Sequence, residues 1–287
     1  MTGAPARGRG GGTTPGRLFV VSTPIGNMGD FSFRGVETLR AVAVVLAEDT
    51  RHTRHLLDHH AIATPMQAYH EHNEARLTPA VIERLRAGED VALVSDAGTP
   101  LVSDPGARLV RAAVEAGLAV VPVPGASALL AALVASGLAA EPFTFFGFLP
   151  RGGADRSRRL VDLAASPWTT VLYEAPGRVV DTLSAVAERA GQDRPAAVAR
   201  ELTKLHEEVR RGTLAELAAY YTETPPRGEV VIVIAGAPAP LVDDAALRER
   251  ARELRAAGHS VRDTAAGLVR EFGAPRNHAY RVAQEAE

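Results

Sequence analysis

The sequence predicts an α/β protein with two tandem α/β domains, a ligand cleft between them and a small helical C-terminal tail. Short β-branched runs alternate with helical patterns along most of the chain, which is typical of sheets covered by helices. Loops rich in glycine, proline and small residues follow three of these runs. A length of 287 residues is enough for two ordinary domains and a tail.

The first predicted domain spans residues 17–137, and we expect a parallel sheet in it because each apolar run is followed by a helical pattern. The glycine-rich residues 1–16 lack the apolar segment of a signal peptide, and we expect them to be disordered. The predicted strands are 18–21, 42–47, 66–69, 91–95 and 119–123, and the predicted helices are 33–40, 50–57, 73–86, 103–116 and 127–136.

The second predicted domain spans residues 138–240, with strands at 143–148, 169–173, 196–200, 207–211 and 229–235 and helices at 156–163, 178–188 and 214–221. An Ala-Pro-rich break then precedes the tail, 241–287, in which we expect helices at 244–256, 260–271 and 276–287. Two interpretations of the tail are open: a helix-turn-helix-like unit that binds nucleic acid, or a packed appendage.

Composition excludes several classes of protein. The chain has no cysteine, which excludes disulfides, thiolate metal sites and a cysteine nucleophile. We find no apolar run of the roughly 18 residues that a membrane span needs, and we expect a cytoplasmic protein. A net charge of −2 excludes a generally basic nucleic-acid binder but not a basic groove. Lys204 is the only lysine, either by chance or because a compact ammonium is needed there.

Three loops leave the ends of predicted strands in the first domain, at residues 22–27 (Ser-Thr-Pro-Ile-Gly-Asn), 95–100 (Ser-Asp-Ala-Gly-Thr-Pro) and 122–128 (Pro-Val-Pro-Gly-Ala-Ser-Ala). Such ends line the ligand crevice of an open parallel sheet. None of the loops is a dinucleotide fingerprint or a P-loop. Asp96 lies in the second of these loops, where a carboxylate either contacts a ligand or caps the next helix.

Charged and polar clusters follow further strands, at 48–52, 70–73, 173–178 and 200–207. They suit substrate positioning, but helix capping or an exposed surface explains each of them as well. A basic segment from Arg151 to Arg159 is either a loop that closes over RNA or a solvated helix start. His52, His55 and His59 share one helix face, but we expect no metal site there because such stripes are more often solvated.

Taken together, these loops resemble the tetrapyrrole methylase family, over roughly residues 17–236. Six segments in order resemble the branch of small-subunit ribosomal RNA (cytidine-2′-O)-methyltransferases. Tetrapyrrole-modifying members tend to have a glycine-rich first loop and Gly-Asp-Pro in the second, and this chain departs from both. The resemblance implies S-adenosylmethionine in the interdomain cleft. It assigns cofactor contacts to Ile25, Gly26, Asp96, Gly98, Thr99, Ser127, Ala128, Leu202, Ala235 and Gly236.

The same resemblance implies 2′-O-methylation of a cytidine in small-subunit (16S) ribosomal RNA, free or in the assembled subunit, by a homodimer. Because a ribose hydroxyl is weakly acidic, a base or a cation should help it lose its proton. We expect Lys204 and Glu174 near that hydroxyl. RNA positioning is expected from Glu48, Asp49, Arg51, His70, Asn73, Arg151 and Arg200. The alternatives are a precorrin-type small-molecule methyltransferase and an inactive RNA-binding relative.

Overall fold

The computed structural model describes residues 14–238 and 244–286. The chain divides into two compact units, one up to Ala235 and one from Gly236 onward. Most of the N-terminal stretch predicted to be disordered lies outside the described residues. At its end, the Gly16 N–H donates to the Leu85 carbonyl at 2.7 Å. None of the helices in the described ranges is both long and apolar enough to cross a membrane.

The first sheet is wholly parallel, with strand order β3-β2-β4-β1-β5. Two of its three inner strands, β2 and β4, are buried along their whole length, as expected where helices cover both faces. All five carboxyl ends consequently meet at one edge. The strands are β1 (Arg17–Val21), β2 (Val44–Ala47), β3 (Met66–Ala68), β4 (Val91–Val94) and β5 (Ala119–Val123); the helices are α1 (Phe33–Ala41), α2 (Thr50–His59), α3 (Glu74–Arg86), α4 (Ala107–Glu115) and α5 (Ala128–Ser136).

The second sheet is mixed, with strand order β6-β7-β10-β8-β9. Its central strand β10 runs antiparallel to β7 and β8, so that Val230 at its start pairs with Glu174 and Arg200 at their ends. The strands are β6 (Phe143–Phe148), β7 (Thr169–Glu174), β8 (Pro195–Arg200), β9 (Glu208–Thr213) and β10 (Val230–Ile234); the helices are α6 (Gly153–Ala165), α7 (Val179–Ala190) and α8 (Leu214–Glu223).

Helix α5 follows the first sheet in the chain but packs against the second. Its buried Ala132 and Leu133 share a core cluster with Val171 and Val233 of the second sheet. Ile25 from the loop after β1 and Leu202 from the loop after β8 lie in that same cluster. The two sheets are therefore joined by apolar packing beside the loops that the sequence singled out.

The predicted helix over residues 103–116 begins only at Ala107. Leu101 and Ser103 have φ angles of +74° and +68°, in the left-handed region that interrupts a right-handed helix. Pro105 and Gly106 follow, and Gly106 has φ of +120°. Residues 95–106 thus form a long loop at the carboxyl edge of the first sheet.

The unit from Gly236 onward contains three helices, α9 (Asp244–Ala256), α10 (Val261–Phe272) and α11 (Arg276–Glu285), which confirms the predicted helical tail. Leu247, Leu268 and Val282 form the centre of its core. A three-residue turn with Gly273 at φ +65° joins α10 to α11, which is the connection of a helix-turn-helix pair. Nucleic-acid binding by this tail stays a prediction.

Candidate functional site

A cavity of about 380 Å³ opens where the edges of the two sheets face each other. The first sheet contributes the loops after β1, β2, β4 and β5, and the second contributes the ends of β6 and β7 and the start of β10. The lining residues are Ile25, Glu48, Asp96, Ala97, Gly98, Thr99, Val102, Ser103, Asp104, Ser127, Ala128, Phe148, Tyr173, Glu174, Ala175, Pro176, Gly228, Glu229, Val230 and Val231.

Hydrogen bonds tie the three predicted loops to one another. Thr23 and Gly98 exchange backbone hydrogen bonds of 2.8 and 3.1 Å. The Thr99 hydroxyl lies 3.0 Å from the Ser22 hydroxyl and donates to the Ala126 carbonyl at 3.3 Å. Gly98 has a φ of +77°, which only glycine adopts without strain. This wall of the cavity is therefore built from backbone and small side chains.

The structure brings together most of the residues expected to contact cofactor. Ile25, Asp96, Gly98, Thr99, Ser127 and Ala128 all line the cavity. Gly26 and Leu202 do not line it, although Leu202 is buried in one cluster with Ile25.

Ala235 and Gly236 are not brought to the cavity. Because β10 is antiparallel to β7 and β8, its start lies at the cavity and its end lies at the opposite edge. There the Ala235 N–H donates to the carbonyl of Pro195, the first residue of β8. The contact at the end of this strand was implied by the family resemblance, and Gly228–Val231 at its start line the cavity instead.

The lining carries five carboxylates, and none of its residues, all within the described part of the chain, is Lys, Arg or His. Burial and the negative charge of Asp96 raise the pKa of Asp104 and a hydrogen bond from Ser95 lowers it, so that the pKa rises from 3.8 to about 6. Burial also raises the pKa of Glu48, together with repulsion from Asp104 and Asp96. The cavity is thus anionic and suits a cationic ligand.

Glu174, a predicted catalytic residue, lines the cavity with a fully buried side chain. One carboxylate oxygen accepts the Ala175 N–H at 2.9 Å, and the other accepts the Thr182 hydroxyl at 2.7 Å. The Arg178 guanidinium lies 3.2 Å away and also donates to the Leu149 carbonyl. This carboxylate is fully engaged and holds the end of β7 in place.

Lys204, the other predicted catalytic residue, lies outside the lining and forms 3.0 Å ion pairs with Glu201 and Glu229. Partial burial alone would lower the pKa of Lys204, but the hydrogen bonds and charges of the two glutamates outweigh burial and raise it. The side chain therefore stays an ammonium at neutral pH and is unsuited to act as a base. A Cβ at Gly26 would lie 2.5 Å from Lys204 Cγ, which shows how closely the alkyl chain covers that glycine.

Among the residues expected to position RNA, Glu48 alone lines the cavity. Asp49 caps α2 and pairs with an exposed Arg51, which lowers the pKa of Asp49. Asn73 closes its turn by accepting the His70 N–H at 2.9 Å. Arg200 forms a 2.7 Å ion pair with Glu208, and Arg151 is exposed. In the described ranges, no group of three or more His, Asp or Glu side chains could hold a metal ion.

Sequence reasoning missed several lining residues. Asp104 stood inside a predicted helix, whereas the structure places it in the cavity wall, in a loop that contains Leu101, Ser103 and Gly106 at positive φ. Gly228–Val231 were missed because the direction of β10 was not predicted. Phe148 was assigned to a strand without a role, although an aromatic residue at a strand end is typical of the walls of ligand pockets.

Comparison with known proteins gives concordant results. Residues 17–218 match the model of the tetrapyrrole (corrin/porphyrin) methylases. The chain is 47% identical over 275 residues to a Synechocystis protein, covering 95% of this chain and 99% of that protein. It is 50% identical over 273 residues to a Xylella fastidiosa protein, covering 93% and 99%. Both are named ribosomal RNA small subunit methyltransferase I.

Among solved structures, a uroporphyrin-III C-methyltransferase from Thermus thermophilus, complexed with S-adenosylhomocysteine, superposes with a TM-score of 0.56 at 22% identity. The match covers 77% of this chain and 97% of that one. At this identity, the likeness demonstrates a shared fold.

Proposed function

The chain belongs to the tetrapyrrole methylase family, as its loop motifs predicted, and we propose that it methylates the 2′-oxygen of a cytidine in small-subunit ribosomal RNA. It is an S-adenosylmethionine-dependent ribosomal RNA methyltransferase, as its relatives over more than 90% of the chain indicate. One observation carries the choice of RNA over a tetrapyrrole: the near full-length relatives at 47% and 50% identity bear the ribosomal RNA name.

The cavity fits this cofactor chemically. S-adenosylmethionine carries a sulfonium and an ammonium, and five carboxylates without a lysine, arginine or histidine line the described cavity. A volume of about 380 Å³ lies in the range of small-molecule sites. Bound there, the cofactor supplies a methyl group already activated by the sulfonium. Asp96, Gly98, Thr99, Ser127 and Ala128 are the residues proposed to hold it.

The protein's own contribution to the reaction is proposed to be a rigid cavity wall and a charged side chain near the cavity. Glu174 and Arg178 hold the end of β7, so that the wall from Tyr173 to Pro176 is fixed before any ligand binds. Such preorganisation aligns a nucleophile with an electrophile and removes much of the entropic barrier. Lys204 joins the loop after β8 to Glu229 at the cavity. The proposed role of Lys204 is electrostatic and not that of a base, because its raised pKa keeps it protonated at neutral pH.

RNA positioning is proposed to use polar groups outside the cavity. Arg51 lies in the first turn of α2, Arg151 follows β6, and Arg200 ends β8. His70 and Asn73 follow β3. Phosphate contacts by the three arginines would make binding weaken as salt rises. Either free RNA or the assembled small subunit would provide the cytidine, and a cytoplasmic location follows from either.

A homodimer is part of the proposal. Helix α5 is apolar on nearly all sides, and Leu130 and Val134 are 50% and 75% exposed on the face away from the core. Neighbouring exposed apolar side chains of this kind commonly mark a protein interface. A second copy of this chain is the proposed partner.

The test uses tritiated S-adenosylmethionine and small ribosomal subunits from a strain that lacks this gene. We expect label on one cytidine ribose, located by nuclease digestion and mass spectrometry. Label on uroporphyrinogen and none on RNA would instead support a small-molecule methyltransferase. RNA binding without cofactor binding would indicate an inactive relative.

A further inference from the structure

Five carboxylates line the cavity, and two of them form ion pairs with cations. Glu174 is held by Arg178, Thr182 and the Ala175 N–H. Glu229 pairs with Lys204 at 3.0 Å. Asp96 accepts the backbone N–H of Asp49 at 3.0 Å. Glu48 likewise accepts the backbone N–H of Asp96, and Asp104 accepts a hydrogen bond from Ser95, and in the described ranges no cation acts on the pKa of either carboxyl.

Asp104 is half-buried in the wall formed by the loop before α4. The charged and titratable groups that act on it are Asp96 at the end of β4, Glu48 at the end of β2 and Tyr173 of β7. Within the described residues, no cation contributes to its pKa. It is therefore a carboxylate without a counterion, facing the place where a ligand would lie.

The loop that carries Asp104 is held in an uncommon conformation. Leu101 and Ser103 both lie in the left-handed region, which costs a residue with a side chain about 1 kcal/mol or more. Together with Gly106 at a φ of +120°, they precede a helix that begins at Ala107 and not at the predicted Ser103. The strained turn thus has an observable result, which is that Asp104 lines the cavity.

We propose that Asp104 is the base that accepts the proton of the ribose hydroxyl during methyl transfer, an inference that rests on the proposed function. The hydroxyl oxygen forms a bond to the methyl carbon as the sulfur–methyl bond breaks, and that bond's electron pair stays on sulfur. The hydroxyl proton passes to a carboxylate oxygen of Asp104. The products are the 2′-O-methyl ribose, a neutral thioether and a protonated Asp104, which releases its proton to solvent.

Glu48 is assigned a positioning role beside this base. The negative charge of Asp104 raises the pKa of Glu48, and because repulsion between two charges is mutual, an ionised Glu48 disfavours the carboxylate form of Asp104. A base whose pKa lies closer to neutrality than an ordinary aspartate's transfers a proton more effectively at physiological pH.

The decisive variant is Asp104→Asn, which keeps the shape and removes the proton acceptor. We expect single-turnover methylation of small subunits to fall about 100-fold or more, while the Kd for S-adenosylmethionine changes less than about fivefold. Asp162→Asn, at an exposed position of α6, is the matched control and should keep wild-type rates. A rate that is normal at saturating cofactor, with a proportionally weaker Kd, would make Asp104 a cofactor-binding residue and overturn the proposal.

A pH profile tests Glu48. In wild-type protein, kcat/KM for S-adenosylmethionine should rise with pH to a plateau, with a midpoint near 6, because this ratio reports the free enzyme and Asp104 must lose its proton to act as a base. Glu48→Gln removes a neighbouring negative charge, so the midpoint should move to lower pH while the plateau changes little. An unmoved midpoint would contradict the positioning role.

Calorimetry gives a readout that needs no RNA. A cationic cofactor favours the carboxylate form, and Asp104 is about half protonated at pH 6, so cofactor binding there should release up to about half a proton per chain, measured from the heats in buffers of different ionisation enthalpy. Asp104→Asn should abolish this release, and its persistence would overturn the proposal. If wild-type protein releases the proton but methylates no RNA, the proposed substrate fails while Asp104 remains the titrating group of the cavity.

Discussion

The two sheets build their shared cavity in different ways. The parallel first sheet contributes loops whose backbones approach one another, with Gly98 in the left-handed region and Thr99 bonded to Ser22. The mixed second sheet contributes an edge fixed by charged side chains, above all Glu174 with Arg178. A backbone-built wall depends on the absence of side chains, whereas a charge-built wall depends on their presence. Substitutions should therefore affect the two walls differently.

The largest expected effect is on the backbone-built wall. Gly98→Val forces a branched residue to a φ of +77° and places its Cβ 3.4 Å from Ile25, with methyl groups beyond it. We expect cofactor affinity to fall about 100-fold, or about 3 kcal/mol, measured by calorimetry. Gly117→Val is the matched control, since Gly117 has a φ of +69° and no neighbour within 4 Å. The Gly117→Val variant should lose a similar amount of stability and keep its affinity for the cofactor. If both variants bind the cofactor equally well, a side chain at residue 98 does not obstruct the cavity.

The next effect tests the charge-built wall. Glu174→Gln leaves Arg178 without its counterion and turns an amide donor toward groups that donate, so we expect a loss of about 2 kcal/mol in the free energy of unfolding. Urea denaturation measures this loss. Glu188→Gln is the control, because Glu188 is 71% exposed and its arginine lies 3.7 Å away. That exposed pair should contribute less than about 0.5 kcal/mol. Similar losses in both variants would contradict an edge fixed by buried charge.

Substitution of Asp104 should have a smaller effect on the free energy of unfolding, and it should stabilise the protein. The ordinary pKa of Asp104 is 3.8 and its folded value is about 6, so the folded state binds the proton more tightly. Stability from this group is present below about pH 4 and is lost as pH rises to about 6. Asp104→Asn should therefore be more stable than wild type by about 1 kcal/mol at about pH 7, after allowance for partial exposure, and equal near pH 4. A constant difference across this range would contradict a raised pKa.

The smallest effect on the free energy of unfolding is expected at Lys204, which joins the loop after β8 to Glu229 at the cavity. Lys204→Met removes two ion pairs, one of them to Glu229, which is 70% exposed. We expect a loss of less than about 1 kcal/mol. Because the pKa of Lys204 is raised above 10.5, the stabilisation is complete below that value, and the loss should be the same at pH 6 and pH 9. A loss that shrinks between these pH values would indicate a lowered pKa and restore Lys204 as a base.

Local patterns allowed much of this molecule to be predicted. The alternation of strands and helices, the three loops of the first domain and the helical tail all follow from short-range periodicity and from Gly and Pro positions. The carboxyl ends of parallel strands share one edge, so residues such as Asp96 and Ser127 could be grouped from their positions after predicted strands alone.

Long-range pairing decided the rest. Strand direction is not written in a strand's own residues, so only the sheet shows that Gly228–Val231 of the second domain, and not Ala235, meet the cavity. Ion-pair choice is equally non-local: Lys204 and Glu229 are 25 residues apart in the chain, and their contact keeps Lys204 charged. The left-handed conformation of Leu101 and Ser103 is also not evident from local sequence, and these residues belong to the loop in which Asp104 lines the cavity. The sequence by itself determined the elements and the kind of chemistry, and tertiary packing decided which carboxylates remain free, because burial and charge pairing depend on neighbours that the chain brings together only on folding.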